Sequence, residues 1–385
     1  MNVSPLSIPP GPPTSAILDR LERELRGLWT APVVPGEAPK SRVCTMNLVV
    51  AASREIADRY TAVVDEVTAG VPARAIVIAL EAEEDTQPLE GEATAVCTPG
   101  DGGVVCSERV RLNATGSVCA RVASAVEALV VPEIPTTLVW LGRVHMDDAV
   151  FTSLAQQAQR VVLDTEYTSL ASLLQLARWS REETGRPALA DMAWTRLATW
   201  QELCARLFDE PRTRDHVAAI TRVTLHQASE SGARLGSEGA LLLGWLATCL
   251  GWRAVRMGGG LKMKREDGHD VHLVLGAVDR PSVVAPLALK AVTIEAEVGG
   301  VTLVGTMDRE LASGGSGNGI TSDADVIQWQ LEQTGQPTMQ QRVRLGTNKA
   351  ARVLERTLHR PAFDPLLVEA VQFAEHFLED GVVVR

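Results

Sequence analysis

Five cations crowd one short stretch of this chain: Arg253, Arg256, Lys262, Lys264 and Arg265. Against a net charge of −11, such a cluster is where an anionic ligand or an acidic protein face would settle. The plainer reading is a set of solvent-facing strand residues. A second pairing involves sulfur. Ala93–Cys97 and Val104–Glu108 flank Pro99-Gly-Asp-Gly-Gly103, and a tight primed turn centred on Asp101-Gly102 sets Cys97 opposite Cys106. That is a non-hydrogen-bonded pair, where side chains approach most closely. The register allows a redox pair, while the rarity of cytosolic disulfides favours two reduced cysteines.

The other chemistry-bearing types do not assemble. Gly258-Gly-Gly-Leu-Lys-Met lacks the GxxxxGK[ST] spacing of a phosphate cradle, and a turn between two strands accounts for it better. No GxGxxG follows a strand, so the dinucleotide fingerprint is missing and no cofactor is expected. His269 and His272 are three apart and would point to opposite faces of a strand, and the other histidines are scattered, so no metal is expected. Ser316 lacks the GxSxG elbow because Asn318 follows. Glu83-Glu84 and Asp147-Asp148 fall in loops or at helix starts, where solvated charge is the default. The residues give no catalytic machinery, hence no enzyme.

The elements that would position any site follow from periodicity. Residues 14–28 carry Ile17, Leu18, Leu21, Leu25 and Leu28 at helical spacing, and a Pro/Gly-rich linker, 32–39, follows. Strand-like and helix-like runs then alternate: strand 42–51, helix 54–68, strand 73–80, the 93–108 hairpin, helix 116–130, strand 136–141, helix 148–157, strand 160–164, helix 167–180. Asp191–Glu210 reads as one long amphipathic helix, capped by Asp191 and stopped by Pro211. Within its apolar stripe lies Arg196, whose neighbours four residues away are Met192 and Trp200. A charge there needs a partner from another element, a structural clamp. Trp194 sits at the stripe's edge, a partly exposed candidate for partner contact. Further on come a strand near 218–227, an apolar helix 238–252, and hairpins turning at Asp267-Gly268, which sets Arg265 across from Asp270, and at Gly299-Gly300. Residues 308–345 are polar and Gly-rich and read as linker, and helices 348–358 and 365–378 close the chain.

This gives a tail and helix over 1–40, an α/β domain over 41–180 with a mixed sheet covered by helices, an α+β domain over 181–310 with an antiparallel sheet, and a linker with terminal helices over 311–385. The acidic balance opposes a nucleic-acid partner. No run approaches the ~18 apolar residues of a membrane span. The first residues lack a basic, then apolar, signal-peptide pattern and read as a disordered lead-in. Six cysteines with no CxxC pair suit a reducing cytoplasm.

Four segments in order, Arg42-Val-Cys-Thr-Met-Asn-Leu-Val-Val50, Val131-Pro-Glu-Ile-Pro-Thr-Thr-Leu-Val-Trp140, Val162-Leu-Asp-Thr-Glu166 and Asp191-Met-Ala-Trp-Thr-Arg-Leu-Ala-Thr-Trp200, together resemble the glucose-6-phosphate dehydrogenase assembly protein family, OpcA. The resemblance implies a cytoplasmic, non-catalytic partner that assembles or allosterically activates glucose-6-phosphate dehydrogenase in the oxidative pentose phosphate pathway. For some members it also implies redox control through cysteines near the C-terminus. Here the last cysteine is Cys249, a departure from that pattern. A different class of function, a sugar-phosphate sensor or enzyme, would use the cluster at 253–265.

Overall fold

The computed structural model describes residues 14–30, 40–100, 103–165, 167–182, 186–257, 260–278, 287–310, 326–345, 349–379 and 382–384. They fall into two compact units. The first holds residues up to 168 together with 179–189, and the second holds 169–178 and 190–385.

In the first unit the elements are α1 (Thr14–Thr30), β1 (Lys40–Arg42), β2 (Met46–Ala52), α2 (Arg54–Gly70), β3 (Ala73–Glu81), β4 (Glu90–Gly100), β5 (Gly103–Thr115), α3 (Val122–Leu129), β6 (Thr136–Leu141), α4 (Ala149–Gln157) and β7 (Arg160–Leu163); α5 (Leu170–Glu182) and β8 (Ala188–Asp191) straddle the division. The strand order is β1-β5-β3-β2-β6-β7-β8, with β4 on the free edge of β5. β2, β3, β5, β6 and β7 pair in parallel, and the β4–β5 hairpin supplies the antiparallel exception. Val49–Ala51, Ala75–Ile78 and Leu138–Leu141 are buried, as a sheet covered on both faces requires. Asn47 fixes the central pair. Its fully buried amide donates to Val131 O (3.0 Å) and accepts from Val131 N (2.8 Å), which seats the Val131–Pro135 approach to β6. From β5 to β8 the order is that of a doubly wound dinucleotide-binding sheet, with its switch point between β2 and β6.

The second unit contains α6 (Met192–Arg196), α7 (Ala198–Arg206), α8 (Pro211–Arg214), β9 (Ile220–Ala228), α9 (Ser237–Cys249), β10 (Arg253–Met257), β11 (Gly260–Lys264), β12 (Asp270–Val278), β13 (Leu289–Val298), β14 (Val301–Glu310), β15 (Val326–Gln333), β16 (Met339–Arg344), α10 (Ala350–His359) and α11 (Pro365–Glu379). Its sheet runs β10-β11-β12-β9-β13-β14-β15-β16. One face buries Val223, Leu225, Val292, Ile294, Leu303, Met307, Trp329 and Leu331. Onto it α7 lays Leu203, Cys204 and Leu207, and Trp329 Nε1 donates to Leu203 O (3.1 Å). Gly305 is glycine because a Cβ there would overlap the Leu207 methyls.

Three sequence expectations are corrected. The sheet is mixed instead of antiparallel: α9 and the β10–β11 hairpin return the chain so that β12 pairs with β9 in parallel. Residues 326–344 form β15 and β16 instead of linker, whereas the Gly-rich run 313–319 lies outside the described residues. The single helix over 191–210 is two, α6 and α7, bending at Leu197, and Pro211 opens α8 instead of ending a helix.

Candidate functional site

In a doubly wound sheet, ligands lie beyond the carboxyl ends of the strands at the switch point. A cavity of about 220 Å³ does open there, bordered by Ala51, Ala52, Ser53, Trp140, Leu141 and Asp148 among others. Its chemistry opposes a nucleotide. The first turn is Ala51-Ala52-Ser53-Arg54, with none of the glycines that let a backbone approach pyrophosphate. The amide of Arg54 at the head of α2 donates to Glu81 Oε1 (2.6 Å). Across the cavity Asp148 caps α4, accepting from Val150 N (2.8 Å) and Phe151 N (3.3 Å). Both helix starts that could hold an anion thus already hold a carboxylate of this chain. Cys119, also at the cavity, has its thiol pushed up by burial and is a poor nucleophile.

The cation cluster does not act as one patch. Lys262 and Lys264 both reach Asp270 (3.3 and 3.2 Å), and Arg265 holds Asp267 (2.7 Å) and Ile220 O (3.3 Å). Arg253 is exposed on β10, and the Arg256 side chain lies outside the described residues. Lys264, not Arg265, is paired with Asp270, because Asp267 accepts from His269 N and the loop takes one more residue. Among the described residues no three His, Cys, Asp or Glu side chains gather as metal ligands.

Cys97 pairs with Cys106 across β4 and β5, and the two are joined as a disulfide; the expectation of reduced thiols is corrected. Their Cα atoms are 4.0 Å apart, the close spacing of a non-hydrogen-bonded pair, which brings the sulfurs within bonding reach.

The Asp191–Trp200 run is occupied with holding the unit together. Asp191 accepts from Trp194 N (2.9 Å), and Arg196 Nε lies 3.4 Å from Glu238 Oε1 of α9. Trp194 is 3% exposed, and its Nε1 donates to Asp364 Oδ2 (2.8 Å). The placing of Trp194 at an exposed edge is therefore corrected: a helical wheel of one helix leaves out the residues before α11, whose Asp364 bonds the indole and also accepts from Leu367 N.

A site that sequence inspection passed over lies where α6 meets α10. A cavity of about 660 Å³ is lined by Thr195, Ala198, Arg352, Glu355, Arg356, His359 and Arg360. Its signal was in plain view, since Arg352 and Arg356 lie one turn apart on α10 and Arg360 follows at its carboxyl end. Burial first, then repulsion from Arg360 and Arg196, lowers the affinity of Arg356 for its proton.

Two family profiles match this chain. One describes the glucose-6-phosphate dehydrogenase subunit N-terminal domain, over residues 64–178, and the other the C-terminal domain of that subunit, over 187–371. A protein of Synechocystis sp., provisionally named OxPP cycle protein OpcA, is 28% identical over half of this chain and 40% of its own length. One of the same name from Nostoc punctiforme is 29% identical over 50% of this chain and 41% of its own. The chain thus matches less than half the length of these curated relatives. Among solved structures, a levoglucosan dehydrogenase in complex with NADH and L-sorbose superimposes with a TM-score of 0.44 at 10% identity, covering 88% of this chain and 99% of that one. The two profiles, consecutive and spanning both units, place the chain in the OpcA family of glucose-6-phosphate dehydrogenase assembly proteins.

Proposed function

We propose that this chain is a non-catalytic subunit that assembles with glucose-6-phosphate dehydrogenase and allosterically activates it in the oxidative pentose phosphate pathway. The observation that carries the reading is the pair of consecutive family profiles, both described as dehydrogenase subunit domains. The switch-point crevice supports it from the chemical side, since Glu81 and Asp148 fill the two helix starts that a nucleotide phosphate would use. No described helix is long and apolar enough to cross a membrane.

The test is a mixture of the purified chain with the dehydrogenase of the same cell, followed by sedimentation and by initial rates. A faster-sedimenting complex together with a changed substrate affinity is expected. Separate boundaries and unchanged kinetics, under both reducing and oxidising conditions, would remove the proposal.

A further inference from the structure

We infer that the open face of the second unit's sheet pairs with the same face of a second copy of this chain. α7 lies on one side of that sheet, over the buried residues of β9, β13, β14 and β15. The side chains between them turn the other way and stay half-buried or exposed. Register sets them in level rows. The middle row is Val274, Thr224, Thr293, Thr306 and Gln330; it carries no charge, and Val274 is 44% exposed. Two residues to one side, His272 on β12 and Arg222 on β9 are level with Glu295 on β13 and Glu332 on β15. Two residues to the other side, His226 on β9 is level with Asp308 on β14. Gly276 beside it leaves room for the His226 ring, which a Cβ there would meet.

A contact between identical faces requires a surface that complements its own half-turn image. This one does. A half-turn about an axis along β13 lays β12 and β9 of one copy over β15 and β14 of the other at equal height, an aligned packing of two sheets. His272 then meets Glu332 of the second copy, and His226 meets its Asp308, each imidazole N–H donating to a carboxylate. Asp308 already accepts from Lys290, and a carboxylate has lone pairs for more than one donor. Glu295, at the axis, brings its own counter-charge in Arg222, 3.8 Å away. The uncharged row packs on itself between them. Five strands about 4.8 Å apart and about seven residues deep span roughly 24 by 24 Å. Two such faces bury more than about 1,000 Å², the size of a specific interface. Reversal of sign about the middle strand is what a second copy demands and a foreign partner does not. The inference is independent of the dehydrogenase reading.

The test is sedimentation equilibrium of the full chain alone, without dehydrogenase, over a wide range of concentration. A reversible monomer–dimer equilibrium is expected. Thr293→Arg sets two like charges against each other at the axis and should weaken the dimer at least about tenfold. His272→Glu should weaken it by meeting Glu332 of the second copy, and adding Glu332→His should restore it. Within one copy these two residues stand four strands apart, about 19 Å, so the rescue reports a contact between copies. Should Thr293→Arg fold poorly, the exchange of His272 and Glu332, both exposed, decides alone. A monomer at every concentration overturns the inference. So does a dimer that Thr293→Arg leaves intact, or an exchange that brings no rescue. If the chain alone is monomeric and Thr293→Arg abolishes its binding to the dehydrogenase, the face belongs to that enzyme and the inference falls.

Discussion

Glu108 gathers three donors in the first unit. It is 2% exposed and accepts from Arg74 (2.6 Å), Arg42 (2.9 Å) and Trp29 Nε1 (2.7 Å). A carboxylate so far from water is stable only while those donors remain, and Arg74, 13% exposed, depends on it in turn. Glu108→Gln should therefore cost about 3 kcal/mol of stability, read from the urea midpoint. Arg42 is 44% exposed, so Arg42→Ala should cost under about 1 kcal/mol. Equal losses would show that charge burial is not the cause. Arg196 makes the matching case in the second unit. Removing it leaves Glu238, 18% exposed, with the bond from Leu289 N (3.0 Å) and no arginine. Arg196→Met should lower stability by about 2 kcal/mol, between the exposed and buried limits. The double variant with Glu238→Gln should recover part of that loss. If the two losses simply add, the pair is no clamp.

Elements were legible wherever period and turn chemistry agreed. Two adjacent glycines at 299 and 300 give the β13–β14 turn, and the observed register pairs Val298 with Val301. β15 was legible too, since Ile327, Trp329 and Leu331 alternate with Gln328, Gln330 and Glu332; the glycines upstream drew the eye to a linker. The parallel β9–β12 pairing was not, because alternation marks which face is buried and says nothing of direction. Nor was the Arg265–His269 loop, whose extra residue is set by the Asp267 carboxylate. The Arg265 hydrogen bond, then the His269 amide, holds that carboxyl down to about 2. A carboxyl lowered in the folded state contributes above its ordinary value, about 3.9, and loses that contribution as pH falls through the folded one. The turn should thus keep its bonds to about pH 2, and an NMR titration of Asp267 should show its midpoint there. A midpoint near the ordinary value would mean the loop is open in solution. For the β4–β5 hairpin, thiol titration of the unfolded chain without reductant should find four free cysteines, rising to six after reduction. Closing so short a loop is worth about 2–3 kcal/mol, so Cys97→Ser should lower the urea midpoint accordingly.

At the scale of the whole molecule, activation without a catalytic group has to come from unequal affinity. A partner that bound every dehydrogenase state equally would shift no population, however tightly it held. Under the proposed function, the chain must favour the dehydrogenase conformation or oligomer that binds substrate better. A tenfold gain in substrate affinity requires only about 1.4 kcal/mol of preference, within reach of a few interface contacts. Linkage then fixes the reverse effect: saturating substrate must tighten binding of this chain to the dehydrogenase by the same factor. That reciprocal gain distinguishes a true allosteric partner from one that merely protects the enzyme from unfolding or dilution. It is measured by titrating the labelled chain into the dehydrogenase with and without glucose 6-phosphate. Tightening that matches the kinetic gain is the expected outcome. A gain in rate with no change in binding would place the effect on enzyme lifetime, and the allosteric half of the proposal would fall.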